Sequence, residues 1–98
     1  MINIKNISTP DIIFSDRFER KLQEVPDEIK AAFADTLELF VEEPNHPILR
    51  NHALKKKFAG SRSINVTEDW RAVFKEEQSG ERTVITFHLL ATHEELYG

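Results

Sequence analysis

The feature that most limits how this chain can fold is a change of hydrophobic period near its middle. Up to residue 43 the apolar side chains recur every three or four positions, and after Gly60 they recur every second one. The first spacing belongs to an amphipathic helix and the second to a half-buried strand. Phe18, Leu22 and Val25 mark one helix that begins at Asp16, with Glu19 three residues on as its capping box. Pro26, Asp27 and Glu28 start another, because proline is tolerated in a first turn and carboxylates suit that end of the helix dipole. Ile29, Ala32, Phe33, Thr36, Leu37, Phe40 and Val41 carry it onward until Glu42, Glu43 and Pro44 end it. Ahead of both helices, the apolar run Asp11–Phe14 reads as a short first strand.

Residues 44–60 form a loop that ends in a triple lysine. Beyond it, Arg62, Ile64 and Val66 alternate with Ser63, Asn65 and Thr67. Thr67-Glu68-Asp69 reads as a turn, Trp70–Lys75 as a strand, Ser79-Gly80 as a hairpin turn and Thr83–Ala91 as a third strand. The connections are too short for parallel crossovers, so these strands form an antiparallel meander. The expected fold class is α+β, two N-terminal helices packed on a twisted antiparallel sheet. A chain of 98 residues has room for one core, so residues 1–98 make a single domain.

Alternation also assigns faces. Ile85, Phe87, Leu89 and Ala91 point to the core with Trp70, Ala72 and Phe74, whereas Val84, Thr86, His88 and Leu90 point away. Ser63, Asn65, Thr67, Arg71, Val73 and Lys75 share that outer face, which reads as a cationic, histidine-bearing surface. A single β-bulge would invert part of this pattern.

The formal net charge is −4, unfavourable at first sight for a nucleic-acid partner. It is unevenly placed. Residues 1–43 sum to −5, while residues 50–75 carry seven basic side chains against Glu68 and Asp69. A local basic field binds phosphates even on an acidic chain. With no cysteine there is no disulfide, thiolate metal site or cysteine nucleophile. Met1–Lys5 lacks the features of a signal peptide, and no run approaches the ~20 apolar residues of a membrane helix. A cytoplasmic protein without a membrane partner is expected.

The histidines have no metal-ligand spacing, and no glycine-rich phosphate loop or nucleophile elbow is present. What remains is a kit of histidine, arginine, lysine, aspartate and tyrosine, with no cofactor or metal expected. Such a kit suits RNA cleavage, in which the 2′-hydroxyl attacks the adjacent phosphate. Each candidate also has a plainer reading. Lys55, Lys56 and Lys57 either grip phosphates or are a solvated run. Arg71 either clamps a phosphate or pairs with Glu68 or Asp69. His93, just past a strand end, either reaches into a site or bonds locally at a helix start, and His52 sits in a loop with no periodic role.

From Phe14-Ser15-Asp16-Arg17-Phe18 to Tyr97 the chain resembles the RelE/YafQ-type toxins of bacterial type II toxin–antitoxin modules. The resemblance is carried by Leu49-Arg50-Asn51-His52-Ala53-Leu54-Lys55, Gly60-Ser61-Arg62-Ser63-Ile64, Asp69-Trp70-Arg71-Ala72-Val73-Phe74 and Ala91-Thr92-His93-Glu94-Glu95-Leu96-Tyr97. It implies a metal-independent endoribonuclease that cuts mRNA on the ribosome, restrained by a cognate antitoxin and reaching operator DNA only through it. It further implies that His52 and His93 are acid/base groups, that Asp69 belongs to the catalytic set and that Arg71 holds the phosphate. Lys55, Lys56, Lys57, Arg62 and Tyr97 then contact RNA, and Trp70 either stacks a base or joins the core, which alternation favours.

Three positions depart from the pattern. Asn65 stands in place of a second catalytic histidine, Leu89 in place of an arginine and Ala91 in place of a glycine. Asparagine hydrogen-bonds but does not exchange protons at neutral pH. His88 adjoins Leu89, but simple alternation turns the two to opposite faces. The same fold serves gyrase-directed ParE-like toxins, so a non-nucleolytic toxin, or a degenerate member that mainly binds antitoxin, is the alternative.

Overall fold

The computed structural model describes residues 9–97, so the reading of Met1–Lys5 lies outside the described residues. The chain runs β1 (Asp11–Phe14), α1 (Asp16–Glu24), α2 (Asp27–Glu42), β2 (His52–Ala53), β3 (Arg62–Asn65), β4 (Trp70–Ser79), β5 (Arg82–Thr92) and α3 (His93–Tyr97). Single 3₁₀ turns at Pro47–Leu49 and Lys56–Phe58 shape the loop on either side of β2. The five strands form one sheet in the order β1-β5-β4-β3-β2. The expected meander is present as β3-β4-β5, with β2 added antiparallel at one edge. At the other edge β1 pairs parallel with β5, from Asp11 opposite Val84 to Phe14 opposite Phe87, so the sheet is mixed. No described helix is long and apolar enough to cross a membrane.

Helix α1 is capped one residue earlier than the sequence spacing suggests. Ser15 Oγ accepts the Phe18 N–H at 3.1 Å, which makes Ser15 the N-cap and places Asp16 in the first turn. The reciprocal capping box occurs instead at α3. There the Thr92 N–H donates to Glu95 Oε1 at 2.8 Å, and the Glu95 N–H donates to Thr92 Oγ1 at 3.2 Å. A five-residue helix does not hold itself in water. This one is held by that box, by buried Leu96, and by the His93 N–H donating to the Asp69 carbonyl at 2.7 Å.

Phe14, Phe18, Phe33, Phe40, Phe74 and Phe87 fill the space between helices and sheet, with ring centroids 5.0–6.1 Å apart. Edge-to-face and offset aromatic pairs add to the area that these rings remove from water. Ile64, Ala72, Ile85 and Leu90 complete the core from the sheet side.

One bulge changes the expected faces. Val73 pairs with Leu89 but Phe74 pairs with Phe87, which leaves His88 as the extra residue in β5. Beyond it the alternation is reversed. Leu90 enters the main core, whereas Leu89 and Ala91 join Val73, Leu54, Leu96 and Phe58 in a second apolar cluster. The outer face is therefore not an open cationic surface. Next to the bulge it is an apolar patch roofed by α3 and the lysine loop. His88 also turns to the outer face, where Nε2 meets Ser61 Oγ at 3.0 Å, so it does not oppose Leu89 as simple alternation required.

Candidate functional site

Paired residues in neighbouring strands share a face, so register decides which side chains meet. Asn65 is opposite Arg71, and Arg71 is opposite Ala91. His52 is opposite Ser63, one step along the same face. Helix α3 starts where β5 ends and returns over this row. The result is an open depression of about 550 Å³ lined by Arg50, Asn51, His52, Asn65, Arg71, His93 and Tyr97. Four separate segments of the chain contribute to it.

His52 is oriented by its own loop. Its Nδ1 lies 2.7 Å from the Arg50 carbonyl, which can only accept, so Nδ1 carries the proton and donates. In the neutral ring this leaves Nε2 as an acceptor, 3.4 Å from the Tyr97 hydroxyl. Arg50 supplies that carbonyl from a left-handed conformation, φ +48°, which is uncommon for a side-chain-bearing residue. The loop is anchored by Arg62, whose Nε donates to Asn51 Oδ1 at 2.8 Å, and by Asn51 Nδ2, which donates to the Pro44 carbonyl at 3.0 Å.

Arg71 folds back on the turn before β4. Its Nη1 lies 3.0 Å from the carbonyls of Thr67, Glu68 and Trp70, which holds the guanidinium against the cleft without using a carboxylate. The expected alternative pairing with Glu68 or Asp69 side chains is not formed among the described residues. His93 is exposed at the start of α3, and its ring packs on Tyr97 with centroids 4.6 Å apart.

The residues named from sequence are thus only partly assembled. His52, Arg71, His93 and Tyr97 meet in the depression. Asp69 does not line it; its contribution is the backbone carbonyl that ties down the first residue of α3. Trp70 shares the side of Ala72 and packs against the main core, with Lys21 Nζ 5.8 Å from its ring centroid, so the core reading is the one observed. Arg62 lies on the helix side of β3 with its guanidinium committed to Asn51, and it does not line the depression. Lys55, Lys56 and Lys57 border an adjoining hollow of about 530 Å³ that shares His52 and Tyr97 with the depression.

Arg50 and Asn51 also line the site, and their one signal in the sequence is their place directly before His52. Leu89 has no route to the depression, because it faces the apolar cluster under α3. Burial, assisted by Lys75 and Arg17, lowers the His88 pKa from its ordinary value. The Thr92 N–H lowers that of the Glu95 carboxyl, and Lys21 at 3.6 Å adds to the effect. No group of three histidine, cysteine, aspartate or glutamate side chains among the described residues is placed to hold a metal ion.

No family model and no curated protein matches the chain by sequence. Solved structures match it by shape. YafQ from E. coli superposes with a TM-score of 0.70 at 19% identity, covering 91% of this chain and 99% of that one. The YoeB/ParE toxin from Agrobacterium tumefaciens gives 0.68 at 16% identity, covering 85% and 98%. A structure of the E. coli DinJ-YafQ complex gives 0.61 at 26% identity, covering 91% and 99%. The α+β fold expected from the period change is the RelE/YafQ toxin fold.

Proposed function

We propose that this chain, built on the RelE/YafQ toxin fold, is the mRNA-cleaving toxin of a type II toxin–antitoxin module, with residues 1–98 as its single domain. The observation that carries the reading is one open depression in which two histidines, two arginines and a tyrosine converge, His52, His93, Arg50, Arg71 and Tyr97. An open site admits a polymer strand, and these side chains supply proton transfer and positive charge without a cofactor.

In the proposed reaction the RNA 2′-oxygen attacks the adjacent phosphorus and the P–O5′ bond breaks. A 2′,3′-cyclic phosphate and a 5′-hydroxyl result. His52 and His93 divide the proton transfers, one taking the 2′-hydroxyl proton and the other giving a proton to the leaving 5′-oxygen. Nε2 of His52 is the nitrogen left available once Nδ1–H donates to Arg50. Arg71, its Nη1 fixed on three carbonyls, stabilises the phosphorane charge with Arg50. Asn65 beside Arg71 hydrogen-bonds the phosphate or ribose, and Asp69 acts through its backbone. The lysines at 55–57 steer the strand. In the cytoplasm the toxin acts on mRNA at the ribosome. A cognate antitoxin restrains it and carries it to operator DNA.

The test is induced expression with mapping of mRNA 5′ ends. Translation-dependent cuts are expected, reduced about 10²–10⁴-fold by His93→Ala, the range for losing a general acid or base. Intact mRNA at growth-arresting levels refutes the reading. A gyrase-directed toxin is the second reading, favoured by Leu89, which puts an apolar side chain under α3 in place of an arginine. Inhibited supercoiling with untouched mRNA would establish it.

A further inference from the structure

The depression is one end of a longer band. It shares His52 and Tyr97 with the lysine-rimmed hollow, and that hollow shares Lys57, Phe58 and Leu96 with a third trough of about 370 Å³ between α1 and α3. The far wall of this trough is α1. Arg17, Arg20, Lys21 and Glu24 follow one another at helical spacing on a single stripe that flanks the apolar stripe of Phe18, Leu22 and Val25. Because α1 runs beside the C-terminal half of β5, this stripe looks across Leu89, Leu90 and Ala91 toward α3.

The charges of the trough are unequally committed. Glu95 accepts from the Thr92 N–H and pairs with Lys21 at 3.6 Å, so it and Lys21 largely neutralise each other. Arg17 and Arg20 are exposed and form no ion pair among the described residues. Lys57 lies 5.3 Å from the Phe58 ring centroid. Three cations thus face a single free acid, Glu24, within a protein whose net charge is −4. An aromatic ring stands at each bend, Tyr97 between the depression and the hollow and Phe58 between the hollow and the trough. Cations alternating with stackable rings are how proteins hold single-stranded nucleic acid, whereas an acidic amphipathic helix needs an unbroken apolar stripe.

We propose that the trough between α1 and α3 is a second binding site for single-stranded RNA. A strand seated in the cleft continues around Tyr97, over Lys55–Lys57, and places a downstream or upstream phosphate on Arg17 and Arg20. The proposal rests on RNA being the ligand of the cleft, and it adds that the helix nominally in the acidic half binds that RNA too.

The test uses the full chain and fluorescein-labelled, 2′-O-methyl single-stranded RNAs that cannot be cleaved, one of 3 and one of about 16 nucleotides, the longer spanning the site sizes of single-strand binders. Anisotropy is measured across a salt series for the wild type and for the double variant Arg17→Gln, Arg20→Gln. The long RNA is expected to lose affinity in the variant, with the slope of log K against log salt falling by about 1.4, roughly 0.7 for each cation removed. The short RNA should bind both proteins alike. An unchanged slope overturns the proposal, and so does equal loss on both RNAs, which would mean that the arginines act through the fold. A wild type that binds the long RNA through these arginines yet cuts no RNA would end the nuclease reading and leave the trough standing.

Discussion

Replacing Arg62 by alanine separates two accounts of the same residue. From the sequence it belonged to the RNA-contacting set; in the fold its Nε donates to Asn51 Oδ1 at 2.8 Å and its Nη2 reaches the Asn51 carbonyl at 3.5 Å. Asn51 adjoins both Arg50 and His52, so the guanidinium anchors the loop that orients the His52 ring. A hydrogen bond to a charged group contributes roughly 1.5–3 kcal/mol, and partial exposure reduces this to about 1–2 kcal/mol here. In a domain of this size that lowers Tm by about 4–16 °C, readable by circular dichroism. Loosening the loop should also lower kcat, by up to about 10²-fold if His52 shifts by an ångström. Binding of a long uncleavable RNA should keep its salt dependence, because no phosphate contact is lost. Arg62→Lys should recover part of the stability, since an ammonium reaches one of the two acceptors. An unaltered melting curve with a salt slope reduced by about 0.7 would refute the anchoring role and restore the RNA contact.

Other perturbations have equally definite expectations. Ser63 is fully buried and its hydroxyl has no partner among the described residues, so Ser63→Ala should be neutral or stabilise the fold by up to about 1 kcal/mol in urea denaturation. Glu95→Ala removes the box at the start of α3 and should cost about 1 kcal/mol, with increased amide exchange confined to residues 92–97. The Glu95 pKa is lowered in the fold, so its contribution is present above the ordinary carboxylate range and disappears as pH falls through the lowered value. An unchanged acid melting profile in Glu95→Ala would contradict this. The His88 pKa is also lowered, so the unfolded chain binds more protons just below the ordinary histidine value. Stability should therefore fall as pH drops through that range, and His88→Gln should flatten the dependence while keeping a bond to Ser61.

Much of the architecture was legible in the linear order of residues. Phe18, Leu22 and Val25 and the longer stripe of α2 announced their helices because an amphipathic segment buries one face whatever it packs against. Ser79-Gly80 marked the hairpin for a local reason as well, since Gly80 adopts φ +66° at the turn. The box at α3 was also present in Thr92-His93-Glu94-Glu95, but it competed with the similar spacing at Asp16 and Glu19. Spacing alone does not tell which serine, threonine or aspartate leaves the helix and becomes the cap.

The sequence by itself determined β1, the two long helices, the β3-β4-β5 meander, their order and the segregation of basic residues after position 50. These follow from periodicity and composition, which act over a few neighbouring residues. Tertiary structure alone decided the site. His88 as an extra residue in β5 turned Leu89 and Ala91 from the core to the other face, and no pattern within β5 shows where its partner strand slips. The parallel pairing of β1 left α1 beside β5, which brought Arg17 and Arg20 to the basic side of a chain whose first half is acidic. Arg62 was committed to Asn51, while Arg50 and Asn51 entered the cleft with His52. The physical reason is range. Periodicity acts within one strand, but bulges and neighbours are set by register with strands elsewhere in the chain.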